Sequence, residues 1–243
     1  MENVNFDEIY KCYKEEYEKI FKIIYPENHA ERFTEENQTL NFYNAIRSIY
    51  KDTIAWFEYP WRIDGVTFAE EKSSSKRFDG VVYVPELDSM FIVEAKCLRN
   101  KNKYEAMADD LCRILGMYGS ECPEGKKPSD SFTEVGKVKI HTDRKVPRKV
   151  YAVILADFWC KSRSRTYRKI DKHWETEESR QAYGVKDNYF NFLEILKKAE
   201  AFGIIKTPEC KALSLENKNL GEKYKLLTLI AEIKNPTEIY DFC

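Results

Sequence analysis

The sequence predicts an α/β fold in which a mixed central sheet is flanked by helices. Three observations predict it. Apolar residues recur at helical spacing before residue 54. The period then changes to short apolar and aromatic runs at 54–61, 78–84 and 90–97. Helical spacing returns over 102–118 and gives way to another apolar run at 149–159. The resulting order between residues 34 and 159 is α-β-β-β-α-β. The expectation is one domain spanning 1–243, with its core at about 34–159. Extensions then fill 1–33, which is helical, and 160–243.

The elements follow from local signals. Phe6, Ile9, Tyr10, Tyr13, Tyr17, Ile20, Phe21 and Ile24 make one helical stripe, which Pro26 ends. Pro26, Asn28 and His29 read as a connection. Thr34 is a good N-cap for a second helix reaching about Ile54, with apolar positions Leu40, Phe42, Tyr43, Ile46, Ile49 and Tyr50. Glu35 and Glu36 sit in its first turn, where the helix dipole favours acids. Ile54 to Trp61 reads as a strand, and Asp64-Gly65 as a hairpin-type turn. Lys72 to Lys76 is a polar loop. Phe78–Val84 and Met90–Cys97 flank the turn Pro85-Glu86-Leu87-Asp88-Ser89, and both are apolar on both faces, as central strands require. Tyr104, Met107, Leu111, Ile114, Leu115 and Tyr118 form the next helix, with Gly119 as its C-cap. Residues 120–148 read as a long irregular excursion with a short strand at Val138–Ile140. Lys149–Trp159 is a buried strand, 187–202 a helix and Tyr224–Ile233 a late strand.

Composition narrows the function classes. The chain has 243 residues, with 43% hydrophobic and 14% aromatic content, enough for a sizeable core. Charged residues make up 33%, yet the formal net charge is only -1, so overall charge selects no partner and any nucleic-acid surface must be local. Seven cysteines, an odd number without CxxC spacing, suit a reduced cytoplasmic protein and no zinc site. The acidic start MENVNFDEIY is unlike a signal peptide. The longest apolar stretch, Val150 to Trp159, is too short to span a bilayer and is broken by Asp157, so no membrane partner is expected. No phosphate-cradling glycine loop or GxSxG elbow is present, and His29, His141 and His173 have no metal or triad spacing.

The chemistry concentrates around Glu94-Ala95-Lys96, which closes the apolar run Phe91-Ile92-Val93. Residues two apart on a strand point the same way, about 7 Å apart, so Glu94 and Lys96 share a face. Burying both is costly unless they are paired or metal-bound. Asp79 lies on the preceding strand, and the hairpin folds it back beside Glu94. If Val84 lies opposite Ser89, Asp79 lies opposite Glu94 on that face. A loop one residue longer would turn Asp79 away, unless a bulge near Gly80 restored it. Asp64 is the alternative aspartate. Two carboxylates and one ammonium suit a hard divalent cation such as Mg²⁺, with Mn²⁺ able to substitute. Cys97 would point to the opposite face, into the core.

With these residues in their α-β-β-β-α-β context, the chain resembles the PD-(D/E)xK, restriction-endonuclease-like superfamily over roughly residues 34–159. Phe78 stands where the name-giving proline would precede Asp79. The resemblance implies that Asp79 and Glu94 bind the metal, joined by the Ala95 carbonyl, while Lys96 assists the hydrolytic water. It also implies a glutamate from the preceding helix, assigned to Glu36, although Glu35 and Glu36 both flank the apolar face. Asp110-Leu111 with Arg113 resembles a further pattern of some members; as a plain feature, Arg113 reads as an ion-pair partner of a nearby acid. The implied activity is metal-dependent phosphodiester hydrolysis, most of all by a DNA endonuclease of restriction or defence type. DNA stands ahead of RNA, and restriction-like enzymes offer the analogy of a homodimer. Two rival classes use the same residues differently. One is a non-catalytic module that binds nucleic acid or protein. The other is a structural part of a larger defence or phage complex, with helix 4–25 as interface.

A basic segment completes the expectation. Residues 137–172 hold 12 Lys or Arg against 3 Asp, whereas residues 1–36 hold 5 against 10 acids. Arg163, Arg165, Arg168 and Lys169 lie in its densest run, interleaved with Ser, Thr and Tyr, and are assigned to nucleic-acid phosphates.

Overall fold

The computed structural model describes residues 3–23, 34–64, 77–98, 101–118, 134–135, 137–140, 147–161, 174, 188–216 and 222–242. Helix α1 spans Phe6–Ile23 and α2 spans Glu35–Ile49. Strands β1 (Ile54–Asp64), β2 (Arg77–Val84) and β3 (Ser89–Cys97) follow, then helix α3 (Lys101–Ile114). Short strands β4 (Met117–Tyr118), β5 (Glu134–Val135) and β6 (Lys137–Ile140) lead to the long β7 (Lys149–Lys161). Helix α4 (Asn188–Ala201), strands β8 (Glu209–Glu216) and β9 (Glu222–Ile233), the short helix α5 (Pro236–Ile239) and β10 (Tyr240–Phe242) complete the order.

One eight-stranded sheet runs β10-β6-β1-β2-β3-β7-β9-β8. It is mixed: β3 and β7 are parallel, as are β6 and β10, and the other neighbours are antiparallel. The expected mixed α/β architecture is therefore present. Successive residues of the central strands face opposite layers. Phe91, Val93, Tyr151, Val153 and Leu155 pack with Tyr13, Tyr17, Phe42 and Ile46 of α1 and α2. Ile92, Ala152, Ile154 and Ala156 pack with Met107, Leu111, Ile195 and Ala199 of α3 and α4. That double burial is why Met90–Val93 of β3 and Val150–Ala156 of β7 are apolar at successive rather than alternate positions. No helix among the described residues is long and apolar enough to cross a membrane.

Some boundaries differ from the sequence-based expectation. Helix α2 stops at Ile49, capped by Tyr50, whose N–H donates to the Ile46 carbonyl at 2.8 Å. Strand β1 continues past Trp61 to Asp64, which pairs with Lys137 of β6. Asp64 thus ends a strand rather than opening a tight turn, because β6 returns to pair with it. Trp174 is buried, and its indole N–H donates to the Thr228 carbonyl at 2.8 Å.

The rotation of α2 is set by a close approach to β2. A Cβ on Gly80 would lie 2.6 Å from Cγ2 of Thr39. Thr39 in turn donates through Oγ1 to the Glu35 carbonyl at 3.1 Å. Glycine at 80 is therefore a packing requirement, and it brings the first turn of α2 over the end of β3. Gly80→Ala is expected to cost about 1–3 kcal/mol through overpacking. Adding Thr39→Ser, which removes the methyl and keeps the hydroxyl, should recover most of that loss. Urea denaturation of the single and double variants measures both.

Candidate active site

The turn between β2 and β3 sets the site's register. Pro85–Leu87 forms one 3-10 turn, and Asp88 adopts φ 44° with its N–H donating to the Pro85 carbonyl. Val84 then pairs with Ser89 and Gly80 with Val93. The paired ladder ends at Gly80 and Val93, one residue short of Asp79 and Glu94. Asp79 instead accepts a hydrogen bond through Oδ2 from the Ala95 N–H at 2.7 Å. On the other side of Asp79, Glu58 of β1 adopts φ 54°, a left-handed conformation uncommon for a residue with a side chain. The strand is thus disturbed on both sides of the aspartate, as happens where a sheet re-aims a side chain.

Helix α3 supplies the facing groups. Asp110 and Arg113 are three apart and so project from one side of the helix. Arg113 contacts Glu94 directly through Nη2, and the same nitrogen lies 2.6 Å from Oδ1 of Asp110. The other Asp110 oxygen lies 2.7 Å from Nζ of Lys96. From the opposite side, Glu35 of α2 reaches Lys96 at 3.5 Å and Lys103 at 2.9 Å. Glu35 also accepts from the Cys97 N–H at 3.4 Å. Four carboxylates and three cations thus interlock at the end of β3.

Burial sharpens the electrostatics. Glu94 is 1% exposed, and Asp110 is also buried. Burial, the Asp110 and Asp79 carboxylates together push the Glu94 carboxyl well above the ordinary carboxylate range, against the opposing pull of Arg113 and Lys96. Asp79 is likewise raised, by burial first, with Asp110 and Glu35 adding to it. For Lys96, burial works against the charge, but Asp110 and Glu94 outweigh it and hold its pKa above the usual lysine value. For Glu35, burial is outweighed by Lys96 and Lys103, which hold it below the ordinary range.

The structure therefore gathers Asp79, Glu94, Ala95 and Lys96 in one place, as the hairpin implied. Glu36, the helix carboxylate expected from the resemblance, does not join them. It is exposed, and its carboxyl is held at the helix start by the Thr34 side chain. Glu35 takes the inward position, because the Gly80–Thr39 contact fixes which side of α2 faces the strand. Arg113 is an ion-pair partner of Glu94 and Asp110. Cys97 is buried on the other face, where Gln38 Nε2 lies 3.4 Å from its sulfur. Arg163, Arg165, Arg168, Lys169 and all three histidines lie outside the described residues. Sequence reasoning did not foresee the Lys96–Asp110 pair or the part played by Lys103. Helical spacing could show that Asp110 and Arg113 share a face, but not that this face meets β3.

The donor chemistry suits a hard divalent cation. Asp79 and Glu94 offer carboxylate oxygens, and burial with neighbouring acids raises both pKa values, a cost that a bound cation would offset. The arrangement is closed, however: among the described residues, no three His, Cys, Asp or Glu side chains stand together as a metal would need. Glu94 and Asp110 are engaged by Arg113 and Lys96 instead. Fold and site define a mixed α/β protein with a buried acid–base cluster where β3 emerges beside α3. Comparisons with known protein families, with curated proteins and with solved structures found no match.

Proposed function

We propose that the protein is a metal-dependent phosphodiester hydrolase of the PD-(D/E)xK, restriction-endonuclease-like kind, acting on DNA ahead of RNA. The observation that carries this reading is the β2–β3 hairpin, whose ladder runs to Gly80 and Val93, with Asp79 accepting from the Ala95 N–H and so lying beside Glu94 and Lys96. Asp79, Glu94 and the Ala95 carbonyl would hold Mg²⁺ or Mn²⁺. When bound, the ion supplies a water of lowered pKa and neutralises charge on the phosphate.

The chain's own residues divide the remaining work. Lys96, kept protonated by Asp110 and Glu94, is a hydrogen-bond donor and positive charge for the developing anion, not a proton acceptor. Asp110 is a positioning residue that fixes the lysine at 2.7 Å. Glu35 restrains both Lys96 and Lys103. Arg163, Arg165, Arg168 and Lys169 remain the proposed phosphate contacts, and a homodimer the proposed arrangement for cutting both strands.

The reading is tested by offering supercoiled plasmid, linear duplex, single-stranded DNA and RNA with Mg²⁺ or Mn²⁺ and with EDTA. The expected result is cleavage of DNA in metal and none in EDTA. Binding without cleavage under every condition would instead support the non-catalytic module.

A further inference from the structure

The site is locked by its own cations. Arg113 uses one guanidinium nitrogen to contact both Glu94 and Asp110, while Lys96 takes the second Asp110 oxygen. Glu94 is 1% exposed, so leaving its charge bare would be costly. The Arg113 side chain keeps 20% exposure and has a route to water that Glu94 lacks. A cation could therefore be exchanged on Glu94 without stranding either partner. Arg113 would retain Asp110, and Glu94 would gain the incoming ion.

We propose that Arg113 is a built-in stand-in for the divalent metal on Glu94, and that metal loading displaces it onto Asp110 alone. This rests on the nuclease reading of the site. With all four carboxylates ionised, as metal binding requires, Glu35, Asp79, Glu94 and Asp110 outnumber Lys96, Lys103 and Arg113 by one charge among the described residues. A divalent ion reverses that balance to one positive charge, which a phosphodiester offsets. The exchange keeps the buried carboxylates paired before loading and opens the site to an anion only afterwards.

The test is Mn²⁺ binding to the nucleic-acid-free protein, measured by titration calorimetry on wild type and Arg113→Met. Removing the competitor should tighten Mn²⁺ by at least about tenfold, the worth of one hydrogen bond to a charged group. Unchanged or weaker binding, in a variant with wild-type near-ultraviolet circular dichroism, would overturn the proposal. A second measurement needs no stable variant: arginine side-chain ¹⁵N spectra of the wild-type protein across a Mg²⁺ titration. The Arg113 Nε resonance should move in step with loading, and an unmoved resonance at saturation would also overturn it. Wild-type binding that is indifferent to Arg113 removes only this inference. Absence of Mn²⁺ binding in both proteins removes the nuclease reading with it.

Discussion

Lys96→Ala is expected to lower DNA cleavage by about 10² to 10⁴, the range for removing a group that stabilises developing charge or assists proton transfer. Affinity for DNA, measured in EDTA, should be nearly kept, because one interior lysine contributes little to a phosphate surface. The structure adds a pH signature. Lys96 is held above its usual pKa by Asp110 and Glu94 once burial is overcome. It therefore stays an ammonium throughout the neutral and mildly alkaline range. The wild-type rate should show no decline assignable to Lys96 below about pH 10. Full activity in Lys96→Ala would remove the lysine from the mechanism. A rate that rises as the lysine deprotonates would make it a base instead.

Asp79→Asn is expected to separate stability from activity. Burial, with Asp110 and Glu35 behind it, raises the Asp79 pKa in the folded state. A carboxyl whose folded pKa is raised favours folding below its unfolded pKa and loses that contribution as pH rises through the folded value. At neutral pH, ionised Asp79 therefore costs stability, and asparagine removes the charge while its Oδ1 can still accept from the Ala95 N–H. Metal-free Asp79→Asn should be more stable than wild type by on the order of 1 kcal/mol, the usual size of such functional-site gains. That corresponds to about 2–4 °C in Tm for a chain of this size. The advantage should vanish below about pH 4, where wild-type Asp79 is itself protonated. Cleavage and the Mg²⁺-dependent rise in Tm should both be lost. A metal-free Tm below that of wild type at neutral pH would contradict the electrostatic account of the site.

The legible and illegible parts of this site have physical causes. The β2–β3 register could be read because a short turn with a proline start leaves few pairings, and the paired strands are apolar at nearly every position. The α2 carboxylate could not be assigned, because Glu35 and Glu36 both flank the helix's apolar stripe. A tertiary contact decided it: Gly80 admits Thr39 and turns Glu35 inward. The pairing of Asp110 with Lys96 depends on how α3 crosses β3, which periodicity along one helix does not encode. Strand β8 went unforeseen because Lys211, Ser214 and Glu216 break its apolar run; among the described residues it is the last strand of the sheet, paired on one edge by β9. The extension of β1 from Trp61 to Asp64 was hidden by the Asp64-Gly65 pair, which locally favours a turn. Pairing with β6 overrides that preference.

The central claim is that Asp79 and Glu94 form one metal site. Anomalous diffraction from a crystal soaked in Mn²⁺ addresses it most directly. The account predicts one strong peak at about 2.1 Å, the distance for a hard divalent ion, from oxygens of both Asp79 and Glu94. No peak there at saturating Mn²⁺, with Glu94 still held by Arg113, would contradict it.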